Sequence, residues 1–174
     1  MRLTPVMQRY VVHWGEMGSR WGVNRSIAQI HALLYLSPQP LHADEIAATL
    51  GIARSNVSMG LKELLSWDLV QVTHTLGDRR DFFQAPQDPW EVVRVVVEGR
   101  KRREIDPTVS FLRECAVALE TDSETPPQVR ERIVAQLDFF QSLTTWYDSI
   151  KGLPRKTLQK MMRLGQKIAK VIGE

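Results

Sequence analysis

The chain has 174 residues, of which 43% are hydrophobic and 25% charged, enough to bury a core in one domain or in a small domain with an extension, and a mixture that argues against general disorder. A single cysteine excludes an intramolecular disulfide, no apolar run approaches the ~18 residues of a membrane span, and the start MRLTPVMQRY lacks a signal-peptide core, so a cytoplasmic protein is expected. The net charge of +3 is segregated: residues 1–30 set four arginines against Glu16, residues 114–150 set seven acids against Arg130 and Arg132, and Lys151 to Glu174 sets seven bases against one acid, which predicts a polyanion partner for some faces only.

Thr4-Pro5 forms an N-cap and N1 pair ahead of a first helix, in which Val6, Tyr10, Val11, Trp14, Met17 and Trp21 recur at helical spacing. Asn24 caps a second helix that ends before Pro38. HADEIAATLG reads as a short helix stopped by Gly51. ARSNVSMGLKELLSWDLV follows, with Val57, Leu61 and Leu64 on one face. Then LVQVTHTLGDRRDFFQA, residues 69–85, gives two β-prone runs around a turn at Gly77-Asp78 that carries Arg79 and Arg80.

From Trp90 a helical run extends past Asp106-Pro107, where proline predicts a kink or break. Its cluster Arg100-Lys-Arg-Arg103 reads either as a contact to flanking phosphate or as a solvated face paired with Glu98 and Glu104. Pro126-Pro127 opens a long helix to residue 150, with Val129, Ile133, Leu137, Phe140, Leu143, Trp146 and Tyr147 apolar. The last helix carries Leu158, Met161, Met162, Gly165, Ile168, Ala169 and Ile172 on one stripe and bases on the other. That stripe lacks aromatic anchors, so packing on a partner subunit is favoured over a membrane surface.

Helix, short helix, tight turn, helix and β ribbon is the succession of a winged helix-turn-helix, whose second helix enters the major groove while the hairpin reaches toward the minor groove. The expected fold is mainly α with a small β hairpin. It comprises an N-terminal helix over 1–23 associated with the dimer, a winged helix-turn-helix lobe over 24–87, and a helical dimerisation and effector region over 88–174. With Val57, Leu61 and Leu64 facing the core, the opposite face shows Arg54, Ser55, Asn56, Ser58, Met59 and Lys62, mostly side chains suited to phosphates and base edges. Ser55 or Asn56 reads equally as a helix cap. Arginines at the hairpin suit the negative potential of a narrow minor groove. Residues 51–86 hold four bases and four acids, so affinity must come from placement and dimerisation.

The run AQIHALLYLSPQPLHADEIAATLGIARSNVSMGLKELLSWDLV, followed by GDRRDFFQAPQDPW and EGRKRREIDP, resembles the GbsR-type branch of the MarR-like transcriptional regulators over roughly residues 10 to 115. The resemblance implies a homodimeric winged-helix regulator with terminal helices at the dimer interface, and a ligand-responsive repressor is the expected function. It also implies control of osmoprotectant genes, with choline or glycine betaine as effectors. Met59 stands where such recognition helices often carry a base, which shifts base readout toward Asn56, Ser58 and Arg54. A dimer would place two recognition helices roughly 34–36 Å apart, predicting a palindromic operator in double-stranded DNA.

Quaternary ammonium groups are held by aromatic faces, and Tyr10, Trp14, Trp21, Trp90, Trp146 and Tyr147 are the cage candidates, although each reads singly as core. An effector site is expected between the lobe and the dimer helices. Enzymatic readings find no support: His13, His31, His42 and His74 are dispersed, Cys115 lies in the apolar stretch RECAVAL, and neither a metal signature, a phosphate loop nor a nucleophile elbow occurs, so no metal or cofactor is expected. The alternative from another class is a winged-helix module that binds protein instead of specific DNA.

Overall fold

The computed structural model describes residues 1–172, with side chains described for all of these except 166, 167 and 169–172. It divides into two compact units, Met1–Val97 and Glu98–Glu174.

Helix α1, Pro5–Arg20, begins as capping chemistry requires: the Thr4 hydroxyl accepts the Met7 amide at 3.3 Å, and Pro5 occupies the first turn, where no intrahelical N–H is needed. Helix α2, Arg25–Leu36, is capped by the Asn24 side chain, which accepts from the Ser26 amide at 2.9 Å. The two helices pack closely because Gly15 and Gly18 face α2. A Cβ at Gly15 would stand 2.7 Å from Cγ of Gln29, and one at Gly18 would collide with Cβ of Ala28. The turn between them passes through Gly22 at φ +78°.

Strand β1, Leu41–His42, leads into α3, Ala43–Leu50, which ends on Gly51 in the left-handed region at φ +65°. Helix α4, Arg54–Ser66, then precedes β2, Gln71–Thr73, and β3, Phe82–Gln84. The sheet is antiparallel in the order β1-β3-β2, with Leu41 and Val72 both opposite Phe83. The sequence predicts a two-stranded ribbon, whereas β1 adds a third strand too short to carry any alternating pattern. Ile30, Leu33, Leu34, Ile46, Val57, Leu61, Leu64, Val70 and Phe83 close one core that joins α2, α3, α4 and the ribbon. The wing is therefore anchored through Phe83 to the helices it flanks.

Helix α5 covers Pro89–Arg100, and α6 covers Asp106–Leu119. Between them Lys101–Ile105 form a π-helical turn. The break expected at Pro107 thus takes the form of a widened turn with helix on both sides. Helix α7, Pro127–Ile150, starts at Pro126-Pro127 and packs on α6 through Val109, Leu112 and Leu137. Arg130 ties the α6–α7 loop down by donating to the carbonyls of Leu119 and Asp122. Helix α8, Arg155–Ile172, is strongly amphipathic. Met161, Met162 and Ile168 of its stripe are exposed, while the side chains of Ala169 and Ile172 lie outside those described.

Candidate nucleic-acid interface

The expected recognition helix is α4, and its orientation follows from what it buries. Val57, Gly60, Leu61 and Leu64 are buried, leaving Arg54, Ser55, Asn56, Met59 and Lys62 exposed and Ser58 half-buried. Ala53 occupies the N-cap with extended backbone and no capping side chain, so Ser55 and Asn56 sit inside the first turn and do not cap it. Gly60 lets α4 approach α2: a Cβ there would lie 2.7 Å from Cδ1 of Ile30, a fully buried side chain. Close packing against α2 presents the opposite face outward.

The wing turn runs from Thr75 to Asp78, closed by the Asp78 amide donating to the Thr75 carbonyl at 3.1 Å. Gly77 at φ +85° takes the position that demands the left-handed region, which leaves Leu76 fully exposed at the tip. The two wing arginines differ. Arg79 is exposed and makes no ion pair among the described residues. Arg80 is held: its Nε donates to both Asp78 carboxylate oxygens at 2.9 and 3.0 Å, and its backbone N–H donates to Oδ1 at 3.0 Å. These bonds pull the Asp78 carboxyl down to about 2. Arg80 also donates through Nη1 to His42 Nε2 at 2.9 Å, and its guanidinium carbon lies 5.5 Å from the Phe82 ring centroid.

His42 joins this wing contact to the start of α4. Its Nδ1 lies 3.7 Å from Asp44, whose Oδ1 accepts Arg54 Nε at 2.7 Å. Arg54 also reaches the Ser58 hydroxyl one turn along its own helix. The His42 amide donates to the Glu45 carboxylate at 3.1 Å, closing the first turn of α3. The pair Arg54–Asp44 and the chain His42–Arg80–Asp78 therefore meet, from α4, α3 and the wing, around a recess of about 130 Å³ lined by His42, Asp44, Arg54, Arg80, Asp81 and Phe83. Spacing along the chain gives no sign of it, because Arg54 meets Asp44 across ten residues and Arg80 meets His42 across 38.

Three aromatic candidates come together in the first unit. Trp14 has ring centroids 5.9 Å from both Tyr10 and Trp21, and Tyr10 lies nearly parallel to Tyr35 at 6.4 Å. Tyr35, absent from the sequence expectation, joins because α1 and α2 pack so closely. Trp90 lies in the first turn of α5, and Trp146 and Tyr147 lie on α7 of the second unit. In the basic cluster, Arg100 pairs with Glu104 at 3.1 Å, and Lys101 pairs with Asp106 at 2.7 Å. Cys115 is half-buried on α6.

Residues 21–81, the second and third helices with α4 and most of the wing, match the MarR family. The chain is 21% identical over 136 residues to the HTH-type transcriptional repressor GbsR of Bacillus subtilis (strain 168), covering 76% of this chain and 75% of that protein. It is 17% identical over 137 residues to the putative HTH-type transcriptional regulator YvaV of the same organism, covering 78% and 76%. A crystal structure of a transcriptional regulator shares the fold with a TM-score of 0.70 at 18% identity, covering 85% of this chain and 97% of that one.

Proposed function

We propose that this chain, whose residues 21–81 match the MarR family, is a DNA-binding transcriptional regulator. The observation that carries the reading is the exposed face of α4 beside the wing: Arg54, Ser55, Asn56, Met59 and Lys62 face solvent on a helix whose other side is locked into the core. In this reading α4 enters the major groove with Asn56 and Ser58 reading base edges, Met59 offering an apolar contact and Arg54, Ser55 and Lys62 meeting phosphates, while Arg79 carries the wing to the backbone with Arg80 behind it. The similar proteins are named as regulators, which favours control of transcription over catalysis.

The regulator acts as a cytoplasmic homodimer and represses. Phe111, Val117, Phe139 and Trp146 are exposed on the helices of the second unit, an apolar surface that a second copy would cover. The N-terminal helix and α8 also belong to the dimer in this reading, and the dimer reads a palindromic operator. The effector is a quaternary ammonium compound such as choline or glycine betaine, with Tyr10, Trp14 and Trp21 as its aromatic faces, joined by Tyr35. Occupancy shifts the dimer between forms that fit the operator and forms that do not.

A second reading, a protein-binding winged helix, draws on the equal count of acids and bases over residues 51–86 and on the internal pairing of Arg54 and Arg80. Salt separates the two readings. Duplex affinity that falls steeply with salt supports phosphate contact, and affinity that is weak and flat supports the protein-binding module.

A further inference from the structure

We infer that the recess enclosed by His42, Asp44, Arg54, Arg80 and Phe83 is the seat of one DNA backbone phosphate, and that Asp44 occupies its place in the free protein. The inference rests on the regulator reading above and names a residue that restrains binding.

Three elements converge on the recess: the first turn of α3 gives Asp44, the first residue of α4 gives Arg54, and the wing gives Arg80. Its volume of about 130 Å³ is several times what a single water requires. Both guanidinium groups face it, and a phosphate offers a guanidinium the same pair of acceptor oxygens as a carboxylate does.

The two arginines are not equally committed. Arg80 is fixed on Asp78 through Nε and Nη2, which leaves Nη1 turned to His42. Arginine only donates, so His42 accepts at Nε2. Asp78 and His42 thus position Arg80 without filling the recess. Glu45 is turned to the His42 amide, and Asp81 faces His74 at 3.7 Å. Arg54, in contrast, meets Asp44 across an exposed pair, with side-chain exposures of 50% and 67%. Exposed pairs of this kind contribute little, so an incoming phosphate displaces the Asp44 carboxylate from Arg54. Asp44 then lowers affinity for any duplex.

The test is fluorescence anisotropy of a labelled duplex with the full-length wild type, Asp44→Asn, Arg54→Gln and the double variant, at two salt concentrations. The expected result is that Asp44→Asn binds roughly 1.5- to 5-fold tighter than wild type at low salt, the range set by the small worth of an exposed pair. In the Arg54→Gln background the same substitution should have no effect, because the restraint acts through Arg54. Weaker or unchanged binding by Asp44→Asn overturns the inference. So does equal tightening in both backgrounds, which marks a general charge effect. Wild type that binds no duplex overturns the regulator reading along with it, and is told apart from these results by the wild-type curve alone.

Discussion

Arg80 of the wing donates to His42 Nε2 at 2.9 Å while its other nitrogens stay on Asp78, so one guanidinium fastens the hairpin to the strand that opens α3. The adjacent Arg79 has no such tie. Two neighbouring arginines therefore differ at the wing: Arg80 fixes the hairpin while lining the recess, and Arg79 makes no ion pair among the described residues.

Substitution should separate these roles. Arg79→Ala is expected to leave the melting temperature unchanged, to weaken duplex binding and to reduce the slope of log affinity against log salt by about one phosphate contact. Arg80→Ala should instead speed amide exchange across β2 and β3, as measured by hydrogen exchange without DNA. Equal exchange in the two variants would contradict the division.

His31 gives the fold a dependence on pH. Burial alone holds its imidazole down to about 4 from its ordinary value of 6.5, and its Nε2 has no hydrogen-bond partner among the described residues. A histidine with a depressed folded pKa binds fewer protons folded than unfolded between these values, so stability falls as pH drops from 6.5 toward 4. The expected loss between pH 7.5 and pH 5 is about 2 kcal/mol, and His31→Gln should remove it. Urea unfolding of both proteins at the two pH values checks this, and identical pH dependence in the variant would refute it.

Gly18 tests the seating of α1. Its hydrogen faces Cβ of Ala28 on α2, so Gly18→Val must push the helices apart, with an expected cost of about 1–3 kcal/mol in urea unfolding at neutral pH. The same displacement should separate Tyr10 from Tyr35, read as a change in the near-ultraviolet circular dichroism.

The aromatic cluster makes its own prediction. Choline should quench tryptophan fluorescence saturably in the wild type, and Trp14→Ala should abolish the response, since Trp14 contacts both Tyr10 and Trp21. Undiminished quenching in Trp14→Ala would remove this cluster as the effector site.

The chain reveals its local chemistry more readily than its long-range pairings. Thr4-Pro5, Asn24 and Gly51 mark helix ends because each acts on backbone within a few residues, and Val57, Leu61 and Leu64 disclose the inner face of α4 because burial follows the helical period. Strand β1 is two residues long and exists only because Leu41 pairs with Phe83, 42 positions away. The internal partners of Arg54 and Arg80 are equally hidden, since an arginine exposed to DNA and one held by an aspartate have the same sequence. Tyr35 shares the period of a core helix and shows its aromatic neighbour only once Gly15 and Gly18 bring α1 close.

The central claim, sequence-specific DNA binding by α4 and the wing, is tested most directly by anisotropy titration of the full-length protein against duplex from its own upstream region and against a scrambled duplex of equal composition, at two salt concentrations. Preference for the upstream duplex, with affinity falling steeply as salt rises and Asn56→Ala narrowing the preference, is the expected result. Equal binding to both duplexes, unaltered by Asn56→Ala and insensitive to salt, would contradict it.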